Sequence, residues 1–225
     1  MTLSEILVAM AITVCLMGAV AALTDGARTT FQALPEAADV EQRLRVGAEA
    51  LTRDLVMAGA GLRHGSADAC GNDVSVWPYG PGGVTIASVP RGQTAAVVRT
   101  YSLMTDPSTD VSELMRQDQD GTSVPVADHI VGLRFAYFSG GSTPLDTTAF
   151  EDGPWCGSAA VAFDADLTTI RRIRVALRVE AALDSMRGPA GPLFARAGTS
   201  TSANRVVPDR EIEFDVSPRN LNIDR

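Results

Sequence analysis

Met1-Thr2-Leu3-Ser4-Glu5 opens the chain and leads directly into the apolar run ILVAMAITVCLMGAVAAL over 6–23, in which Thr13 is the only polar side chain. Eighteen residues at about 1.5 Å each make roughly 27 Å of helix, close to the hydrocarbon thickness of a bilayer. The run is apolar on every side, whereas a helix lining a soluble core carries one apolar stripe. A secretory signal peptide would place basic residues ahead of a shorter apolar segment; here the first basic residue is Arg28, and a carboxylate, Glu5, stands at the mouth of the run. A plain membrane anchor tolerates Glu5 near the interface but assigns it no task, and ionisable groups at membrane depth are costly enough to call for a partner. Locally, Thr2-x-x-Glu5 fits a capping box, with the carboxylate at the favourable end of the helix dipole.

Beyond the run, Thr24-Asp25-Gly26 and Pro35 are signals that loosen a helix, yet the pattern resumes. Val40, Leu44, Ala48, Leu51, Leu55 and Ala58 recur at helical spacing, with Glu41/Arg45 and Glu49/Arg53 placed for i,i+4 pairs on the other face. This predicts an amphipathic helix laid on something apolar and stopped by Gly59, Gly61 and Gly65. Residues 66–92 are rich in Gly and Pro and read as a long connection with a short strand at 84–87. Strands are expected at 94–103, 112–116, 130–138, 159–164, 170–181 and 210–216. Asp118-Gln119-Asp120-Gly121 supplies turn chemistry after the second of these. In the fifth, Ile173, Val175, Leu177 and Val179 alternate with Arg172, Arg174, Ala176 and Arg178, which predicts one buried face and a basic outer face. A single sheet against one helix accounts for the pattern.

The stretch Thr2-Leu3-Ser4-Glu5-Ile6-Leu7-Val8-Ala9-Met10-Ala11-Ile12 resembles the mature N-terminus of type IV pilins and pseudopilins, in which an initial apolar residue precedes Thr-Leu-X-Glu and an apolar helix. The chain departs from that pattern in having Met1 where Phe is commoner and Ala22 where many major pilins carry a helix-kinking Pro. The resemblance implies an α+β pilin fold: residues 1–24 as an apolar transmembrane and filament-core helix, 25–60 as an amphipathic helix packed on the head, and 61–225 as a β-rich antiparallel head with a Gly/Pro-rich loop. It also implies that a short basic leader is removed by a prepilin peptidase before Met1. The chain would then sit in the inner membrane as a single-pass protein before entering an extracellular or periplasmic filament. In that filament Glu5 would meet the positive α-amino group of a neighbour's Met1, and Thr2 would cap the helix.

Leu114-Met115-Arg116, Asp120-Gly121, the segment VGLRFAYF over 131–138, IRVAL over 173–177 and Val216-Ser217-Pro218-Arg219-Asn220 resemble spaced features of W-type minor pilins and J-type pseudopilins. That resemblance covers most of the head and implies a minor subunit that primes or caps filament assembly, in a pilus or in a type II secretion pseudopilus. The reading of a different class is an extracytoplasmic adhesin or sensor domain on a membrane anchor that does not polymerise.

Composition narrows the partners. Net charge is −8, and all 19 basic residues are Arg, so a nucleic acid held by a basic patch is not expected. Of the three cysteines, Cys15 lies within the apolar run, while Cys70 and Cys156 form an even pair in the head, read as a disulfide with two reduced buried thiols as the alternative. Catalysis is not expected. His64 and His129 have no motif partner, and neither a nucleophile elbow, a phosphate loop nor a zinc-protease motif occurs. Asp118, Asp120 and Gly121 resemble part of a calcium loop but lack its bidentate Glu, so a hairpin turn is the simpler account and no metal or cofactor is assigned. Trp77 and Trp155 near the head cysteines read as packing or as an adhesive patch.

Overall fold

The computed structural model describes residues 2–62, 74–153, 155–156, 163–187 and 207–220. Helix α1, Leu3–Met57, is continuous over 55 residues and contains Pro35. At 1.5 Å per residue that is a rod of roughly 80 Å. The expected loosening between Thr24 and Pro35 does not end the helix. Residues 3–24 are exposed; among the described side chains Glu36 is the first buried one, followed by Val40, Leu44, Gly47, Leu51, Leu55 and Ala58 at steps of three or four. That stripe is the one hydrophobic periodicity predicts, with Gly47 at its centre and Ala48 on its flank. Two glycines with positive φ, Gly59 (78°) and Gly61 (69°), turn the chain away from the helix axis.

Among the described residues the head has ten strands: β1 Val76–Tyr79, β2 Gly83–Ser88, β3 Val97–Asp106, β4 Val111–Asp118, β5 Ser123–Asp128, β6 Ile130–Phe138, β7 Trp155–Cys156, β8 Phe163–Asp164, β9 Arg172–Val179 and β10 Arg210–Val216. They do not form the single sheet expected. Strands β1-β2-β3-β4-β5 make a five-stranded sheet, β10-β9-β6 a three-stranded one, and β7-β8 a short pair, all with antiparallel neighbours. The chain passes from one of the larger sheets to the other at a single residue. His129, with φ of 56°, separates β5 from β6 and lets the chain leave one sheet and enter the other, while its carbonyl accepts from Glu180 N–H at 3.0 Å.

Three of these strands, β1, β5 and β7, escape the sequence reading. The region 66–92 contains β1 and β2 rather than one short strand, and β5 follows the Asp118–Gly121 turn. Pro78 lies in β1 and Pro125 in β5, the outer strands of the five-stranded sheet, where a missing N–H leaves no ladder bond unmade. Of the strand expected over 159–164, only Phe163–Asp164 falls within the described residues.

The apolar face of β9 behaves as predicted: Ile173, Val175, Leu177 and Val179 are fully buried in the core beneath α1. Its other face is only partly the basic surface expected. Arg172 and Arg174 sit at the surface and share Asp215 of β10 at 2.9 and 2.8 Å, but Arg178 is fully buried and bonded to Asp209 through Nε at 2.7 Å. Glu41, expected to pair with Arg45, meets Arg210 of β10 at 2.9 Å.

Polar contacts also fix the helix to the first sheet. Asp54, 8% exposed on α1, accepts from Tyr101 Oη at 2.7 Å and from Arg99 Nη1 at 2.9 Å, both on β3. Burial together with this carboxylate pushes the Tyr101 phenol above its ordinary range, so it stays a donor.

Gly47 supplies a stability prediction. It lies mid-helix on the buried stripe, and a Cβ there would stand 3.5 Å from Leu114 Cδ2 and 3.7 Å from Leu177 Cδ1, ordinary contact distances. Gly47→Ala therefore removes the backbone penalty of an interior helical glycine without a clash, and is expected to stabilise the head by about 1 kcal/mol. Thermal unfolding of both proteins checks this, and a lowered melting temperature would contradict it.

Candidate functional site

The feature that nothing in the head accounts for is the exposed half of α1. From Leu3 to Thr24, 22 residues form one span that is long and apolar enough to cross a membrane, about 33 Å at 1.5 Å per residue. Its two threonine hydroxyls are turned inward on the backbone. Thr13 Oγ1 donates to Ala9 C=O at 2.8 Å and Thr24 Oγ1 to Val20 C=O at 2.7 Å, so neither hydroxyl presents an open donor. Cys15 is an exposed free thiol on this surface. Residues from Leu3, 80% exposed, to Leu23, 75% exposed, make contiguous apolar surface far beyond what a monomer in water leaves uncovered.

The mouth of the span is organised by Thr2 and Glu5. Thr2 is the N-cap; its N–H donates to Glu5 Oε2 at 2.7 Å, and its hydroxyl lies 3.0 Å from Ser4 Oγ. The carboxylate thus folds back over the free N–H groups of the first turn, a position that suits the helix dipole. Both groups are exposed. Met1 lies outside the described residues, so Glu5 and Thr2 are the parts of the expected assembly site whose geometry is defined.

Apolar exposure continues past the span. Phe31 is 75% and Leu34 66% exposed. They are followed by a notch of about 290 Å³ lined by Ala33, Leu34, Ala37, Val40, Val207, Pro208 and Arg210.

The other candidates from sequence are structural where they are described. Asp120 Oδ1 accepts from Thr122 N–H at 2.9 Å and Gly121 takes φ of 85°, closing the β4–β5 turn, while Asp118 pairs with Arg99 and Arg116 at 3.4 and 3.3 Å. His129 Nδ1 lies 3.0 Å from Asp128 Oδ2, which is part of the contact of β5 with Arg43. Trp77 is half-buried at the edge of the core. His64 and Cys70 lie outside the described residues, and for Cys156 and Trp155 only the strand β7 is described, so the expected disulfide falls outside them as well.

One grouping was not anticipated: Asp152, Asp164 and Asp166 bring carboxylate oxygens within 4.8 Å of one another. The Asp164-Ala-Asp166 spacing is its only sequence signal. Asp164, 1% exposed, is already satisfied, accepting from Gly153 N–H at 2.5 Å and Asp166 N–H at 2.8 Å as the cap of a short 3₁₀ turn.

No family model matches this chain, and no curated protein matches it. Among solved structures the chain is similar to a type IV-like pilin from Thermus thermophilus, with 14% identity, 80% of this chain and 97% of that chain covered, and a TM-score of 0.45.

Proposed function

We propose that this chain is a structural subunit of a type IV pilus-like filament, a minor pilin that primes or caps assembly. The observation that carries the proposal is that apolar exposure outlasts the membrane. The hydrocarbon core is about 30 Å thick and Leu3–Thr24 already fills it, so Phe31 and Leu34 stand about 10 to 15 Å further along the helix. On a plain anchor these side chains would face water; in a bundle of such helices they are covered by neighbouring subunits. The N-terminal Thr-Leu-X-Glu resemblance supports the same reading independently of the head.

In this proposal residues 1–24 form the filament core, 25–60 join it to the head, and 61–225 are the exposed cargo. The chain passes through the inner membrane, where a prepilin peptidase removes its leader. Its partners are other pilin or pseudopilin subunits, contacted through α1. Glu5 pairs with a neighbour's Met1 ammonium, and Cys70 is bridged to Cys156. The rival, an adhesin or sensor domain on an anchor, has no use for apolar side chains beyond the bilayer.

The test exchanges those side chains. Phe31→Ser with Leu34→Ser leaves the span untouched, so membrane insertion is expected to stay at the wild-type level. Uncovering two large apolar side chains removes about 3 to 6 kcal/mol of subunit contact, so incorporation into sheared, purified filaments should fall at least tenfold, on the order of 1.4 kcal/mol per decade. Equal incorporation of variant and wild type would favour the plain anchor.

A further inference from the structure

We infer that Pro35 and Glu36 form a latched joint between rod and head: Pro35 is the pivot, and the buried Glu36 carboxylate is the latch that holds the rod at one angle. The inference concerns the geometry of this chain and stands whether or not the chain polymerises.

Pro35 lies inside α1, where it has no N–H for the carbonyl of Phe31 and crowds that carbonyl with its ring. Helices bend sharply at such positions. The next residue, Glu36, is buried, 7% exposed. Its Oε1 accepts the backbone N–H of Ala182, in the segment after β9, and lies 3.8 Å from Arg43 Nη1. Arg43 in turn donates from Nε to Asp128 Oδ1 on β5 at 2.9 Å. One carboxylate therefore ties the start of the packed helix to the end of β9 directly and to the end of β5 through Arg43.

Among the described residues, the flank of the helix toward β10 is open. There the notch of about 290 Å³ separates Ala33, Ala37 and Val40 from Val207 and Pro208. It is bridged by the Glu41–Arg210 pair, whose side chains are 55% and 54% exposed. A pair that exposed holds a joint weakly. Small side chains facing a gap on one side and a buried charge clamp on the other leave the rod free to tilt toward the notch once the clamp is released.

A buried Glu would cost more than an apolar residue here if its role were only to stabilise. What it adds is direction: a hydrogen bond to one backbone N–H has a fixed geometry, whereas apolar contacts at Ala33 and Ala37 do not.

Spin labels carried on p-acetylphenylalanine at positions 24 and 123 leave the native cysteines intact and report the rod–head distance in the full chain in detergent. Residue 24 lies about 16 Å from Pro35 along the helix, so a tilt of about 20° moves it by roughly 6 Å. The wild type should give one narrow distance peak, and Glu36→Ala a distribution broadened by about that amount. Glu36→Gln keeps the acceptor oxygen and should stay narrow. Pro35→Ala combined with Glu36→Ala should be narrow again, because the pivot is gone; a residue needed merely for folding would not be rescued in this way. A Glu36→Ala distribution as narrow as the wild type overturns the inference. So does loss of the head's melting transition in that variant, since Glu36 would then hold the head together rather than the joint, and so does a double variant that remains broad.

Discussion

Glu5→Leu should leave membrane insertion and the folded head unchanged and reduce filament incorporation at least tenfold. The substitution makes the span only more apolar, and its local cost is a lost capping interaction of about 1 kcal/mol. In a bundle of apolar helices, by contrast, a carboxylate and a neighbour's α-ammonium each lower the cost of burying the other, and their pairing sets how far one subunit is displaced along the next. The present geometry is compatible with that use: Glu5 is exposed and accepts from the N–H of Thr2 through Oε2 at 2.7 Å, a contact it can keep while its second oxygen meets a cation. The measurement is the amount of subunit in sheared filaments relative to the membrane fraction, wild type against Glu5→Leu and Glu5→Asp. Incorporation of Glu5→Leu at the wild-type ratio would remove the intersubunit role and leave Glu5 a helix cap.

Arg178→Leu is expected to be the most damaging single change in the head. Arg178 is fully buried, its Nε donates to Asp209 Oδ2 at 2.7 Å, and it stands opposite Glu211 in the β9–β10 register with Glu180, 4% exposed, close by in sequence. Removing the guanidinium leaves the buried Asp209 carboxylate without its cation, and breaking a buried pair costs about 3 to 5 kcal/mol. For a head of this size that corresponds to a fall of roughly 6 to 20 °C in melting temperature.

The pH dependence of this variant has a definite sign. Burial, with Glu180 and Glu211 adding to it, pushes the Asp209 carboxyl up even against the pull of Arg178. A carboxyl whose folded pKa lies above its unfolded value binds the proton more tightly when folded, so its destabilising effect is full at neutral pH and fades as pH falls toward the unfolded pKa. Taking Arg178 away removes the opposing pull. The loss in Arg178→Leu should therefore be largest near pH 7 and smaller near pH 5, and Arg178→Leu with Asp209→Leu should recover part of it. Thermal melts of the three proteins at both pH values decide the matter; an unchanged melting temperature for Arg178→Leu at pH 7 would show that the pair contributes nothing.

Asp215 shows the opposite sign on the same sheet. Its hydrogen bond to Arg174, with the nearby charges of Arg174 and Arg172, holds its carboxyl below the ordinary value of 3.8. Its contribution is present above that value and lost as pH falls through the lower folded one.

What the sequence by itself determined is whatever depends on neighbours along the chain. The apolar run, its Thr2 and Glu5 cap, the helical stripe from Val40 to Ala58 and the alternation of β9 are all local periodicities, and a period of 3.6 or 2 is set by backbone geometry before any tertiary contact exists. What only the tertiary structure decided depends on what covers a face. Alternation placed Arg172, Arg174 and Arg178 on one side of β9, but the same side is open at Asp215 and closed at Asp209, so one end is a surface and the other a buried ion pair. Strands β1 and β5 were hidden because Pro78 and Pro125 read locally as breakers, and only their outer places in the sheet make a missing N–H harmless. The division into two sheets turns on His129 at φ of 56°, a conformation that its side chain does not announce. Glu36 could be assigned a side of the helix from its spacing, but the N–H it accepts belongs to Ala182, 146 residues away, and such a pairing exists only once the chain has folded.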